Sequence, residues 1–120
     1  MNSLVKKVSK DDLITEYLRI MNGLLRLTDK ELEVFAFIVE LDLNWVDDGQ
    51  VKNVANTKNR KLMMRKLGLG KDNLSRYIRI FKDKNLLKVG PSEDGLYVNK
   101  AILPDVINDR LQLTFVLKTI

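Results

Sequence analysis

The chain of 120 residues contains no cysteine and no histidine. Without thiols, disulfides and thiolate metal sites are excluded. Without imidazole the commonest general base and the commonest zinc ligand are missing, and Ser-His, Cys-His and His-metal chemistry go with them. Carboxylate and lysine chemistry remain open by composition. Two prolines and six glycines are few, and no segment is low-complexity, so disorder is expected over the first few residues at most. Gly68 and Gly70 stand close together, but the residues after them form neither a Walker-type loop nor GxGxxG. No apolar run approaches the roughly 20 residues that a bilayer span needs. MNSLVKKVSKDD carries charge but no apolar stretch of the secretory kind. The expectation is a non-enzymatic protein of the reducing cytoplasm, with no metal, cofactor or membrane partner.

What is present is cationic and concentrated. The whole chain is +5 at neutral pH. Between Gln50 and Gly90 there are twelve Lys/Arg (Lys52, Lys58, Arg60, Lys61, Arg65, Lys66, Lys71, Arg76, Arg79, Lys82, Lys84, Lys88) against two acids, Asp72 and Asp83. Twelve minus two makes that stretch +10, which leaves −5 for the rest of the chain. A solvated face ordinarily mixes both signs. A one-sided block within an amphipathic region points to a polyanionic partner.

Hydropathy periodicity predicts the elements of a single domain over 1–120. Over 11–25, Leu13, Tyr17, Ile20 and Leu24 form one apolar row and Ile14, Leu18, Met21 and Leu25 an adjacent one, so a first helix is expected, ending near Asn22-Gly23. Thr28-Asp29-Lys30-Glu31 reads as a capping box before an apolar run, opening a second helix from Asp29 to about Leu41. Leu32, Phe35, Ala36, Val39 and Leu41 nearly encircle that helix, which makes it the central core element. Leu43 to Asn56 is expected to be loop, with Trp45 packing over helix ends. A third helix, 57–67, should turn Leu62, Met63 and Leu67 inward and end at Gly68-Leu69-Gly70. A fourth, from Lys71 to about 84 or 85, should bury Leu74, Tyr77, Ile78 and Phe81. Leu86–Val89 and Leu96–Val98 around a Gly/Pro/Ser/Asp cluster predict a hairpin. Pro104 and the acids after it suggest a turn. Alternation over 111–118 predicts a C-terminal strand, for which residues 3–8 or a second subunit could supply a partner.

Helix, glycine turn, amphipathic helix, hairpin: on the residues LMMRKLGLGKDNLSRYIRIFKDKNLLKVG this order resembles the winged helix-turn-helix family. The resemblance covers 28–100. It implies a mainly α fold with a small β-wing (α+β), here extended by an N-terminal helix and a C-terminal strand. It also implies a phage- or plasmid-type regulator, or a replication initiator, that reads the major groove of double-stranded DNA with its fourth helix.

Stepping residues 71–83 by 100° with Leu74/Tyr77/Ile78/Phe81 inward turns Asp72, Arg76, Arg79 and Asp83 outward and leaves Asn73 and Ser75 on the two shoulders. Arg pairs bidentately with guanine and Asn with adenine, so Arg76 and Asn73 lead the candidates for base contact. The plainer alternative is an exposed face with Asp72–Arg76 and Arg79–Asp83 ion pairs. Lys58, Arg60, Lys61 and Lys71 are the candidate phosphate contacts, alternatively solvated side chains, and Lys88 or Lys100 touches the backbone if the wing stays off the DNA. Tyr77 falls on the buried face and reads as core; Ile80 does not fit that face. One feature departs from the family pattern. The wing tip, Ser92-Glu93-Asp94-Gly95, carries acids where wings that enter the minor groove carry Lys or Arg.

Three functions are compatible with these features. The first is a dimeric transcription regulator, with the first helix and terminal strand as dimer elements. The second is a replication initiator or accessory factor. The third is a winged-helix protein-interaction module, with the acidic wing meeting a protein partner.

Overall fold

The computed structural model describes residues 4–91, 94–108, 110–112, 114 and 116–120. A single 3-10 turn, Lys10–Asp12, leads into α1 (Leu13–Leu25), followed by α2 (Asp29–Leu43), α3 (Thr57–Leu67), α4 (Lys71–Asp83), β1 (Leu87–Val89), β2 (Leu96–Val98), β3 (Asp105–Ile107) and β4 (Arg110–Gln112). The architecture is α+β, four helices with two small antiparallel hairpins, β1–β2 and β3–β4. None of the described helices is long and apolar enough to cross a membrane.

Helix α2 is the hub. It packs against α1, α3, α4 and β2, and it buries Leu32, Val34, Phe35, Ala36, Ile38 and Val39. Its start is the expected capping box: Thr28 Oγ1 accepts from Glu31 N at 3.2 Å and Thr28 N donates to Glu31 Oε1 at 2.8 Å. The helix runs two residues beyond the predicted Leu41.

Helix α1 buries Ile14, Leu18, Met21 and Leu25 together with Tyr17, and leaves Ile20 and Leu24 in solvent. Asn22-Gly23 does not end it. The Asn22 side chain clamps the backbone of Leu27, accepting from its N at 2.9 Å and donating to its O at 3.0 Å, and Arg26 takes the left-handed conformation. The helix is thereby closed at Leu25, two residues beyond Gly23 and without glycine.

Tyr17 joins α1 to the segment before β3, its hydroxyl donating to Ile102 O at 2.6 Å. Burial first, and then the nearby Asp105 carboxylate, push its pKa from 10.0 up to about 12. The folded state therefore favours the neutral phenol. Its stabilisation is complete below pH 10, the unfolded value, and is lost as pH rises toward about 12. Between those limits the wild type should lose roughly 2 kcal/mol more stability than Tyr17→Phe, at 1.36 kcal/mol per unit. Urea unfolding of both proteins across that pH range measures the difference.

The turn between α3 and α4 uses Gly68 at φ 65°, with Leu69 N returning to Met64 O at 3.1 Å. Helix α4 ends in a Schellman arrangement built on left-handed Asn85: Leu86 N reaches Phe81 O at 2.8 Å and Asn85 N reaches Lys82 O at 3.0 Å. This closure turns the chain directly into β1. The first hairpin pairs Leu87 with Val98, Lys88 with Tyr97 and Val89 with Leu96. The stretch expected to be plain loop adds a third element to it: Asn53 forms a parallel bridge to Leu96, with Val54 N→Leu96 O and Leu96 N→Lys52 O both at 2.9 Å.

The C-terminal region departs most from expectation. The strand is only Arg110–Gln112, and residues 114 and 116–120 have no regular structure. Its partner is β3, immediately after buried Pro104, where a turn had been expected; residues 4–9 form no strand. Left-handed Asn108 turns the hairpin, whose Val106 and Ile107 are exposed. Leu113 and Phe115 lie outside the described residues.

Candidate nucleic-acid interface

Helices α3 and α4 pack against each other and carry most of the basic block. Asn56 caps α3, accepting from Asn59 N at 2.8 Å, and Met63 anchors it in the core with Leu62, Met64 and Leu67 half-buried. Helix α4 buries Leu74, Tyr77, Ile78 and Phe81, the four residues its spacing predicts. Its phase is therefore settled, and Asp72, Asn73, Ser75, Arg76 and Arg79 are all exposed.

Among the described residues, four of the twelve cations in the block make hydrogen bonds or ion pairs. Lys52 Nζ meets buried Asp42 at 2.6 Å. Arg60 Nε donates to Ala55 O at 2.8 Å, and its Nη1 reaches Ser75 Oγ at 3.5 Å. Lys84 Nζ donates to Arg26 O at 2.7 Å, and half-buried Lys88 donates to Asn85 Oδ1 at 3.2 Å. The remaining eight are Lys58, Lys61, Arg65 and Lys66 on α3 and Lys71, Arg76, Arg79 and Lys82 on α4, every one exposed. Among the described residues none of these eight has a carboxylate within 4.0 Å, so neither the Asp72–Arg76 nor the Arg79–Asp83 pair is formed. Arg76 instead lies over the Tyr77 ring, 4.8 Å from its centroid.

Around α3 at 100° per residue, Lys58, Lys61 and Arg65 fall opposite Met63, on one solvent face. On α4, Lys71, Ser75 and Lys82 share the shoulder that Arg60 approaches from α3, while Asn73 and half-buried Ile80 share the other. The two helices thus present cations around neutral donors and acceptors, Asn73 and Ser75. This is a surface suited to a polyanion whose bases also offer hydrogen bonds.

The carboxylate of Asp42 was not singled out by sequence reasoning. It lies at the end of α2, 4% exposed, taking Lys52 Nζ on one oxygen and Val98 N at 2.8 Å on the other. It joins α2 to the strand-like entry to α3 and to β2. Nothing in the sequence sets it apart from Glu33 and Glu40, exposed acids of the same helix. At the hairpin end Asp94 is exposed, while Ser92 and Glu93 lie outside the described residues. Gly90 and Gly95 bring the two arms of the hairpin together there: a Cβ on Gly95 would stand 3.1 Å from Gly90 Cα. Trp45 is half-buried and lines a groove with Phe37, Leu41, Asn56 and Asn59, over the end of α2 and the start of α3. Among the described residues no group of three or more acids is placed to hold a metal ion. Compared with protein-family models, curated proteins and solved structures, the chain matches none, so a functional reading rests on the surface of α3 and α4 itself.

Proposed function

We propose that the protein binds double-stranded DNA as a winged helix-turn-helix regulator, with α3 across the backbone, α4 in the major groove and β1–β2 as the wing. One observation carries the reading: eight exposed cations on two packed helices have no carboxylate partner among the described residues and surround Asn73 and Ser75. A surface kept soluble by mixed charge would pair many of them. Lys58, Lys61 and Lys71 position the duplex through phosphates, and Arg76, Asn73 and Arg79 face base edges. Paired half-sites call for a dimer. Exposed Ile20 and Leu24 on α1, with Val106 and Ile107 on β3, are apolar surface available to a second copy. A replication role uses the same groove contacts. The protein-interaction reading is favoured by exposed Asp94, which phosphates would repel.

Arg76→Ala tests the orientation of α4. Preferred duplexes are selected from a random pool, and wild type and variant are titrated on preferred and scrambled DNA. Loss of about 1–3 kcal/mol on the preferred duplex alone is expected for a bidentate guanine contact. Equal losses on both duplexes would make Arg76 a backbone contact. No loss on either would leave it stacked on Tyr77 and away from DNA.

A further inference from the structure

We infer that Arg60 acts through Ser75, as a positioning residue that makes the Ser75 hydroxyl a hydrogen-bond donor to base edges; the inference rests on the DNA-binding reading above. Arg60 differs from its neighbours on α3. Lys58, Lys61 and Arg65 are exposed, whereas Arg60 is half-buried with Nε committed to Ala55 O at 2.8 Å. That bond fixes the plane of the guanidinium and directs Nη1 at Ser75 Oγ, 3.5 Å away. Among the described residues it is the one side-chain hydrogen bond joining α3 to α4.

A serine hydroxyl alone can donate or accept, and so reads bases loosely. Arginine only donates. With Arg60 beside it, Ser75 Oγ accepts from the guanidinium and turns its own proton outward. A second donor approaching the same oxygen would also meet the positive charge of Arg60. Ser75 therefore presents a donor to the groove. It favours guanine O6 or N7 and thymine O4, and disfavours the amino group of cytosine. A guanidinium held in this way contributes little to phosphate neutralisation.

The test uses full-length wild type, Arg60→Met, Ser75→Ala and the double variant, each checked by thermal melting. All are titrated on the selected duplex and on versions carrying each base at the position where Ser75→Ala alters preference. Wild type should disfavour cytosine there on the order of tenfold. Arg60→Met should lose that discrimination to the level of Ser75→Ala, and the double variant should lose no more, with the salt slope unchanged. Exposed Ser75 keeps the test available should Arg60→Met fold poorly, because a preference untouched by Ser75→Ala overturns the inference by itself. Uniform weakening by Arg60→Met on all duplexes, with a salt slope reduced by about 0.9, would make Arg60 a phosphate contact and overturn it. Wild type that binds no duplex overturns both the inference and the reading beneath it.

Discussion

Phe81→Ala should lower the free energy of unfolding by about 3–5 kcal/mol, the range for removing a buried aromatic ring and leaving a cavity. Phe81 is fully buried, its ring 5.1 Å from that of Phe35 and 6.4 Å from that of Tyr77. It pins α4 to α2, and its carbonyl receives Leu86 N in the closure that leads into β1. A cavity there loosens the element proposed to lie in the groove as well as the core. Urea unfolding measures the change through the midpoint, with the slope unchanged. A midpoint equal to wild type would mean that the face of α4 containing Phe81 is not the buried one. The outward placement of Asn73, Arg76 and Arg79 would fall with it.

Asp42→Ala should cost about 3 kcal/mol, at the lower end for breaking a buried ion pair. The lower end applies because Lys52 is 36% exposed and can return its charge to water. Val98 N cannot: Val98 is fully buried, and losing its acceptor leaves an unsatisfied donor inside the protein. Asp42→Asn retains an acceptor for Val98 N and should cost less than half as much. The same urea experiment compares the two. Equal losses would mean that the charge on Lys52, and not the backbone amide, is what Asp42 serves. Because Asp42 connects α2 to β2, Asp42→Ala should also free the first hairpin from the body of the domain. Faster amide exchange at Leu96–Val98 than at α1 would report this.

The helical part of the fold was readable because burial there follows one period. Leu74, Tyr77, Ile78 and Phe81 recur on a single face, and each is buried. Thr28 and Glu31 carry their cap in their side chains, so the start of α2 was also local information. The misplaced features depend on particular side-chain and backbone contacts that hydropathy spacing does not encode. Asn22-Gly23 looks like a helix end until Asn22 is seen to hold the backbone of Leu27. Lys52–Val54 looks like loop until Leu96 bridges to it from the hairpin. In the C-terminal region Val106 and Leu111 pair across a hairpin only a few residues long, too short for alternation to distinguish strand from turn.

The candidate site divides along the same line. Exposure of Lys58, Lys61, Lys71, Asn73, Ser75, Arg76 and Arg79 follows from helical phase. Which cations are already engaged does not. Arg60, Lys84 and Lys88 reach Ala55 O, Arg26 O and Asn85 Oδ1, acceptors revealed only by the folded backbone. Arg76 likewise chose the Tyr77 ring over Asp72, a competition that spacing alone cannot decide.

The proposal that α3 and α4 form a DNA-binding face is tested most directly by titrating a generic duplex at 50 mM and 200 mM salt, roughly a fourfold change in ionic strength, with wild type and with Lys58, Lys61 and Lys71 all replaced by glutamine. Wild type should bind at the lower salt and weaken steeply at the higher one, because each neutralised phosphate contributes about −0.9 to the slope of log K against log salt. The triple variant should flatten that slope by about 2.7 and weaken binding on every sequence alike. Wild type that fails to bind even at low salt, or a triple variant with unchanged affinity and slope, would contradict it.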